Sequence, residues 1–282
     1  MNIDRASRRF TGNFFNIGLL LLLLILVVFY SQLTMAAGGL VVTPQLVELD
    51  HRTRSKVLTL ANRGKGTETY RISIINYRMD ENGNLTPTET PSENEGFANG
   101  LFRYAPRQIT LKPGKPQTVR ILYRRPKNLQ EGEYRSHLLF QQIPEAKTIA
   151  KNTGNGPGLS FKIETIFGIT IPVIVRHGQL QAQGQISNLK TATVKTGKGI
   201  SMRISREGQR SLRGDLVALA GSEEIGRLNN VAVYMSTPHR NIVMSLDPEK
   251  SGSATGNDIT VEYRERGATS GPVIASGNVT LH

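Results

Sequence analysis

Five histidines (His51, His137, His177, His239 and His282) are the first residues to weigh for chemistry, and they are scattered along the chain. A protein-held metal needs imidazoles, thiolates or carboxylates at short fixed spacing, and no HExxH or comparable grouping occurs. There is no GxSxG elbow to present a serine nucleophile and no P-loop. The glycine run GNGPG at 154–158 has no strand before it and no helix after it, so it lacks the setting of a phosphate cradle. Cysteine is absent altogether, which removes thiolate chemistry, disulfides and cysteine-held metals together. Carboxylates are plentiful, but none stands apart from ordinary solvated turns. This pattern speaks against an enzyme and predicts no metal, no cofactor and no small-molecule substrate.

What is patterned instead is an apolar ridge. In 161–175 (FKIETIFGITIPVIV), Phe161, Ile163, Phe167, Ile169, Ile171, Val173 and Val175 share one parity, interrupted only by Thr165. Side chains alternate faces along a strand, so a single strand would carry these residues as one continuous stripe. The other parity, Lys162 to Ile174, is more polar and includes Pro172, which cannot donate to a ladder. Fifteen residues is also long against the usual strand of about 5–6. Two readings stand: a long but ordinary core strand, or a strand that outruns its own core and offers the surplus ridge to another molecule.

The elements that must position this strand are nearly all short and β-patterned. Arg5, Arg8 and Arg9 precede an apolar run from Ile17 to Tyr30, which reads as an export signal over 1–36 with cleavage after Ala36; a retained anchor is the rival. In the first half, strands are expected at Leu40–Leu49, Lys56–Asn62, Thr69–Tyr77, Gln108–Leu111, Gln117–Tyr123, Tyr134–Ile143 and Phe161–Val175. Turn signals such as Asn82-Gly83-Asn84 and Lys112-Pro113-Gly114 separate them. After Arg176-His177-Gly178 a second series begins, starting at Gln179 and ending at Leu281. The expected fold is all-β: a signal peptide, then an immunoglobulin-like sandwich over 37–176 and a second β-sandwich over 177–282. The Gln179, Gln181, Gln183 and Gln185 stripe reads as a solvated strand face. Two segments, Pro87–Gly100 and Glu145–Ser160, are polar and Pro/Gly-rich and are expected to lack fixed structure.

The net charge is +13. The first 36 residues hold three Arg and one Asp, leaving 32 basic against 21 acidic residues, or +11. That excess suits an acidic protein or anionic lipid. Nucleic acid fits poorly, because there is no Trp and no basic patch interleaved with stacking aromatics.

Three segments resemble the periplasmic chaperones of chaperone–usher pilus assembly. Gln108-Ile109-Thr110-Leu111-Lys112-Pro113-Gly114 followed by Gln117-Thr118-Val119-Arg120-Ile121 is similar to that family's L-x-P-G…V-R-(I/L) hairpin. Gly132-Glu133-Tyr134-Arg135-Ser136 running on to Phe140-Gln141-Gln142-Ile143-Pro144 is similar to its acidic strand opening and closing I-P. The third is the variable loop that leads into the long alternating strand ending at Arg176. The resemblance implies a periplasmic, non-enzymatic chaperone that completes pilin-like subunits by lending them a strand and delivers them to an outer-membrane usher. It places the lent residues at Phe161, Ile163, Thr165, Phe167 and Ile169, and an ion pair orienting the two domains at Glu133 and Arg176. The chain departs from the family where a basic pair would anchor the subunit's terminal carboxylate: Gln45 and Pro172 stand there, leaving Arg176, Lys162 and Arg54 as candidates. The alternative reading is a surface-exposed structural sandwich, such as a pilus subunit or adhesin.

Overall fold

The computed structural model describes residues 39–144, 166–254, 256–265 and 271–281. The first unit is built from β1 (Leu40–Thr43), β2 (Val47–Leu49), β3 (Ser55–Asn62), β4 (Glu68–Ile75), β7 (Phe102–Ala105), β8 (Gln108–Leu111), β9 (Gln117–Tyr123), β10 (Gly132–Ile143) and β11 (Gly168–His177). Between β4 and β7 the chain makes a separate hairpin, β5 (Tyr77–Met79) with β6 (Leu85–Pro87). One sheet has the order β1-β3-β9-β7 and the other β2-β11-β10-β4-β8. In immunoglobulin terms these are an A-B-E-D sheet facing a G-F-C sheet.

Alternation drives the layering. In β9, Val119, Ile121 and Tyr123 point inward while Thr118, Arg120 and Leu122 face out. In β3, Leu58, Leu60 and Asn62 do the same. The inward sets meet in one core with Ile72, Leu138, Phe140, Ile171, Val173 and Val175. Asn62 belongs there because its amide donates to the carbonyls of Gly66 and Leu111 and its oxygen accepts from Gly64 N, which satisfies a buried polar group.

Two expected elements are corrected. The segment Leu40–Leu49 is two strands in different sheets, with the break at the cis Thr43-Pro44 bond. The other cis bond, Ala105-Pro106, lies between β7 and β8, where the chain again passes from one sheet to the other. Proline has no N–H to donate to a ladder, which suits Pro44 and Pro106 to the points just past β1 and β7 where pairing ends. The second correction concerns Pro87–Gly100, which does not lack structure. Glu95 is buried and pairs with Arg135, Ala98 is fully buried, and Ala98 N donates to Ser136 Oγ at 2.9 Å. Polar composition misled because the acidic residue's partner lies forty positions away.

The second unit has one sheet of β12 (Ala182–Val194), β13 (Gly197–Gly208) and β16 (His239–Ser245). The other is β15 (Glu223–Val233), β14 (Leu212–Ala220), β17 (Asp258–Glu265) and β18 (Val273–Thr280), in that spatial order. A six-residue helix, α1 (Pro248–Ser253), is capped by Asp247 and follows β16. Its core is separate from the first, running from Ile186 to Leu281. Gln179, Gln181, Gln183 and Gln185 are exposed, as read from the sequence. Among the described residues no helix is long and apolar enough to cross a membrane.

Candidate functional site

The two edges of β11 are treated differently. β10 pairs with it along its whole length, from His177 opposite Gly132 to Gly168 opposite Gln141. On the other side β2 covers only Val173, Ile174 and Val175, in parallel. Among the described residues nothing pairs with that edge of 168–172, which is therefore bare. The other sheet ends nearby in the outer edge of β1, whose one partner among the described residues is β3. A row of unpaired backbone groups is a template for another strand.

The ridge read from the sequence divides along this edge. Ile171, Val173 and Val175 are buried in the protein's own core, and Ile169 is partly buried against it. Phe167, by contrast, is 52% exposed and Ile166 51%, although Phe167 O still accepts from Gln142 N. Own-core packing thus begins at Ile169, and Phe167, the described stripe residue upstream of it, is left exposed. Phe161, Ile163 and Thr165 lie outside the described residues, as does Lys162.

Beneath the bare edge lies the cleft between the two units. One part, about 440 Å³, is lined by Val42, Gln45, His137, Ile171 and Pro172 from the first unit and by Arg213 and Arg240 from the second. A neighbouring part, about 560 Å³, is lined by Gln45, Glu48, Arg176, Arg210, Arg213 and Glu265. Gln45 and Arg213 border both, so the two form one continuous cleft. Gln45 and Pro172 do face it, but its charge comes largely from the second unit. Arg54 is exposed elsewhere, on the loop leading into β3.

Arg176 is paired with two carboxylates. Its Nε donates to Glu133 Oε2 at 2.9 Å and its Nη1 to Glu48 Oε1 at 2.8 Å. Burial opposes its charge, but the two carboxylates outweigh that and raise its pKa. Glu133 is buried and also accepts from the backbone N of Ser211 at 3.1 Å and from the Ser211 hydroxyl. Because Ser211 belongs to the second unit, this carboxylate joins the two.

A second polar group crosses the same boundary. Arg135 Nη2 donates to Glu95 Oε1 at 3.0 Å and to the Tyr77 carbonyl at 2.8 Å, and its guanidinium lies over the Tyr234 ring. Tyr234 in turn packs with Met79, Ile174 and Ala232 in a small apolar cluster between the units. His137, opposite Pro172 in register, is buried with its ring edge-on to Tyr77. Burial, assisted by the Arg135 charge, pushes its pKa down to about 3, so it is neutral.

Arg213 and Arg240 escaped sequence reasoning. Isolated arginines in β14 and at the start of β16 carry no motif, and only the docking of the two units brings them to the cleft. Among the described residues no group of three or more metal-ligating side chains occurs.

No protein-family model matches the chain, and no curated protein matches it by sequence. Solved structures do align along most of it. A chain of the CsuC–CsuE chaperone–tip adhesion subunit pre-assembly complex of archaic chaperone–usher Csu pili from Acinetobacter baumannii aligns at 14% identity, covering 86% of this chain and 99% of that one, with a TM-score of 0.44. The CupB2 chaperone of Pseudomonas aeruginosa aligns at 11% identity over 86% and 100%, with a TM-score of 0.43. A chain of the SafA pilin–SafB chaperone complex of Salmonella enterica aligns at 11% identity over 87% and 97%, with a TM-score of 0.41. At these values the likenesses decide neither fold nor function, and the fold rests on the strand order given above.

Proposed function

We propose that this chain is an exported chaperone that binds a β-sandwich client lacking a strand, of the pilin kind, by lending it the strand that enters β11. The observation that carries the reading is the half-covered edge of β11, continuous with an apolar stripe whose burial in the protein's own core ends at Ile169. An extended client segment laid along 168–172 would gain main-chain hydrogen bonds, and the upstream stripe would fill the client's groove. Each large apolar side chain so buried contributes about 1.5–3 kcal/mol gross. Losses of overall and side-chain freedom on association offset much of that.

The cleft supplies a place for the end of such a segment. A client strand running down the bare edge would bring its terminal carboxylate toward the cleft, where the arginines of the second unit favour it. Arg176, a candidate on sequence grounds, is held by two carboxylates already, so the anchoring charge is assigned to the second unit. Delivery to an outer-membrane usher belongs to the same reading. A structural pilus subunit or adhesin is the less supported alternative, because such a protein needs no half-covered edge above a basic cleft.

Co-expression with a candidate client tests this directly. The complex should form with the wild-type protein, and a client supplied with its own missing strand in cis should no longer be captured. Equal capture of the completed client would overturn the reading.

A further inference from the structure

The outer face of the β1-β3-β9-β7 sheet is one-sided in charge. From His51 to Thr67 and from Gly96 to Gln130 the chain holds thirteen Lys and Arg and no Asp or Glu. The fold brings these two runs together. β3 pairs with β9 from Ser55 opposite Leu122, and β9 pairs with β7 from Tyr123 opposite Phe102. At that end Tyr123 N donates to the Arg54 carbonyl at 2.9 Å and Arg124 N to the Leu101 carbonyl at 2.7 Å. The chain entering β3 and the chain leaving β9 therefore lie side by side.

Register fixes what meets on this face. Arg120 stands between Val57 and Ala105, and Leu122 between Ser55 and Arg103. All six side chains are exposed, the apolar Leu122 and Val57 by 47% and 42%. Arg52, Arg54, Arg124 and Arg125 extend the face past the ends of the two strands and are exposed as well. Among the described residues none of these arginine side chains forms an ion pair or a hydrogen bond. The acid nearest in sequence, Asp50, is turned to its own loop, where it accepts from the backbone N–H groups of Arg52 and Thr53. Like charges gathered without a counter-charge repel one another, a cost that bound anions relieve.

We propose that this face docks on an anionic membrane surface, with its arginines on lipid phosphates and Val57 and Leu122 at the boundary between headgroups and acyl chains. Three features favour lipid over another polyanion. Neither ring of the paired strands is free to stack on a base, because Tyr123 is buried and Tyr104 packs against the core with its hydroxyl on the Ile72 carbonyl. An acidic protein must place its carboxylates to meet guanidinium groups that nothing here holds in one orientation, whereas lipid headgroups move laterally to wherever the charges stand. The apolar groups are two separate aliphatic side chains, without the clustered aromatic anchors of a protein hot spot, and they suit shallow insertion. None of these residues lines the cleft or belongs to β11, so docking leaves the client edge free. The inference stands apart from the chaperone reading.

Co-sedimentation with vesicles tests it, on the protein as recovered from cells and with the same N-terminus in every sample. Wild type should partition about tenfold or more better onto phosphatidylcholine vesicles containing phosphatidylglycerol than onto phosphatidylcholine alone. Raising the salt from about 0.05 to about 0.3 M should remove most of that preference. Arg103→Gln and Arg120→Gln should each lower it about fivefold, the scale of one basic side chain at a charged surface, with the melting temperature unchanged because both side chains are exposed. Lys190→Gln, which removes one exposed charge from the second unit, should leave it unchanged. Leu122→Gln should weaken the binding that survives at the higher salt; no effect would overturn the insertion of the aliphatic pair. Equal partition onto the two kinds of vesicle, or an equal loss from Lys190→Gln, would overturn the docking face. Displacement from the vesicles by poly-glutamate at equal charge would assign the face to an acidic protein and overturn the choice of lipid.

Discussion

Arg135 lays its guanidinium over the ring of Tyr234, 3.9 Å from the centroid, so that a side chain from one sandwich is closed in by an aromatic from the other. The contact is buried: the Arg135 side chain is 4% exposed and that of its partner Glu95 2%. Breaking a buried pair by removing one member leaves an uncompensated charge, which costs roughly 3–5 kcal/mol. Arg135→Ala should therefore lower stability by about that amount. Tyr234→Leu, which keeps the ion pair but loses the cation–π contact, should lose about 1–2 kcal/mol. Urea unfolding of the two variants checks the order; equal losses would contradict this assignment.

Acid should weaken the fold through His137. Its native pKa is pushed down to about 3, while in the unfolded chain it returns to the ordinary value of about 6.5. Between those values the unfolded chain binds a proton that the native state refuses, so stability falls as pH drops through this window and is at its full value above it. From pH 7 to pH 5 the loss is about 2 kcal/mol, at about 1.4 per unit below 6.5. Urea midpoints at the two pH values should differ by that much in wild type and clearly less in His137→Phe.

Glu133 accepts from Arg176 on its own sandwich and from Ser211 on the other. Ser211→Ala keeps the backbone donor and loses only the hydroxyl, so it should cost about 1–3 kcal/mol. Glu133→Ala removes the acceptor for both units, leaves Arg176 with Glu48 alone, and should loosen the docking as well as lower stability by roughly 3–5 kcal/mol. Small-angle scattering distinguishes the two: only Glu133→Ala should broaden the distribution of interdomain distances.

Capture of a client should fail without loss of fold when the outward stripe is made polar. Phe167 is half exposed, and Ile163 lies further upstream on the same parity. Changing both to Asp should abolish co-purification with a strand-deficient sandwich and leave the melting temperature within a few degrees. An Ile171→Asp protein, altered within the core, should instead fail to fold.

Much of the fold was legible because alternation is a local property. The strands at Gln108–Leu111 and Gln117–Tyr123 stand where the pattern puts them, and the Asn82-Gly83-Asn84 turn signal marks the hairpin tip. Long-range partners were not legible. Nothing near Glu95 announces Arg135, so a packed segment read as unstructured. Nothing in Leu40–Leu49 other than Pro44 announces a change of sheet. For the site, the ridge and the lack of charge at Gln45 and Pro172 could be read directly. Arg240 could not, since it reaches the cleft through the docking of two units that sequence periodicity treats one at a time.

The parallel ladder of Val47–Leu49 on Val173–Val175 joins the second strand of its sandwich to the last. A chain emerging from its N-terminus thus cannot close this sandwich until residue 175 has been delivered, whatever hairpins form sooner. During that interval β2 and one edge of β10 lack the strand they pair with, and the nascent protein is itself a sandwich short of a strand. Until that strand arrives, the protein shares the predicament of the clients proposed for it.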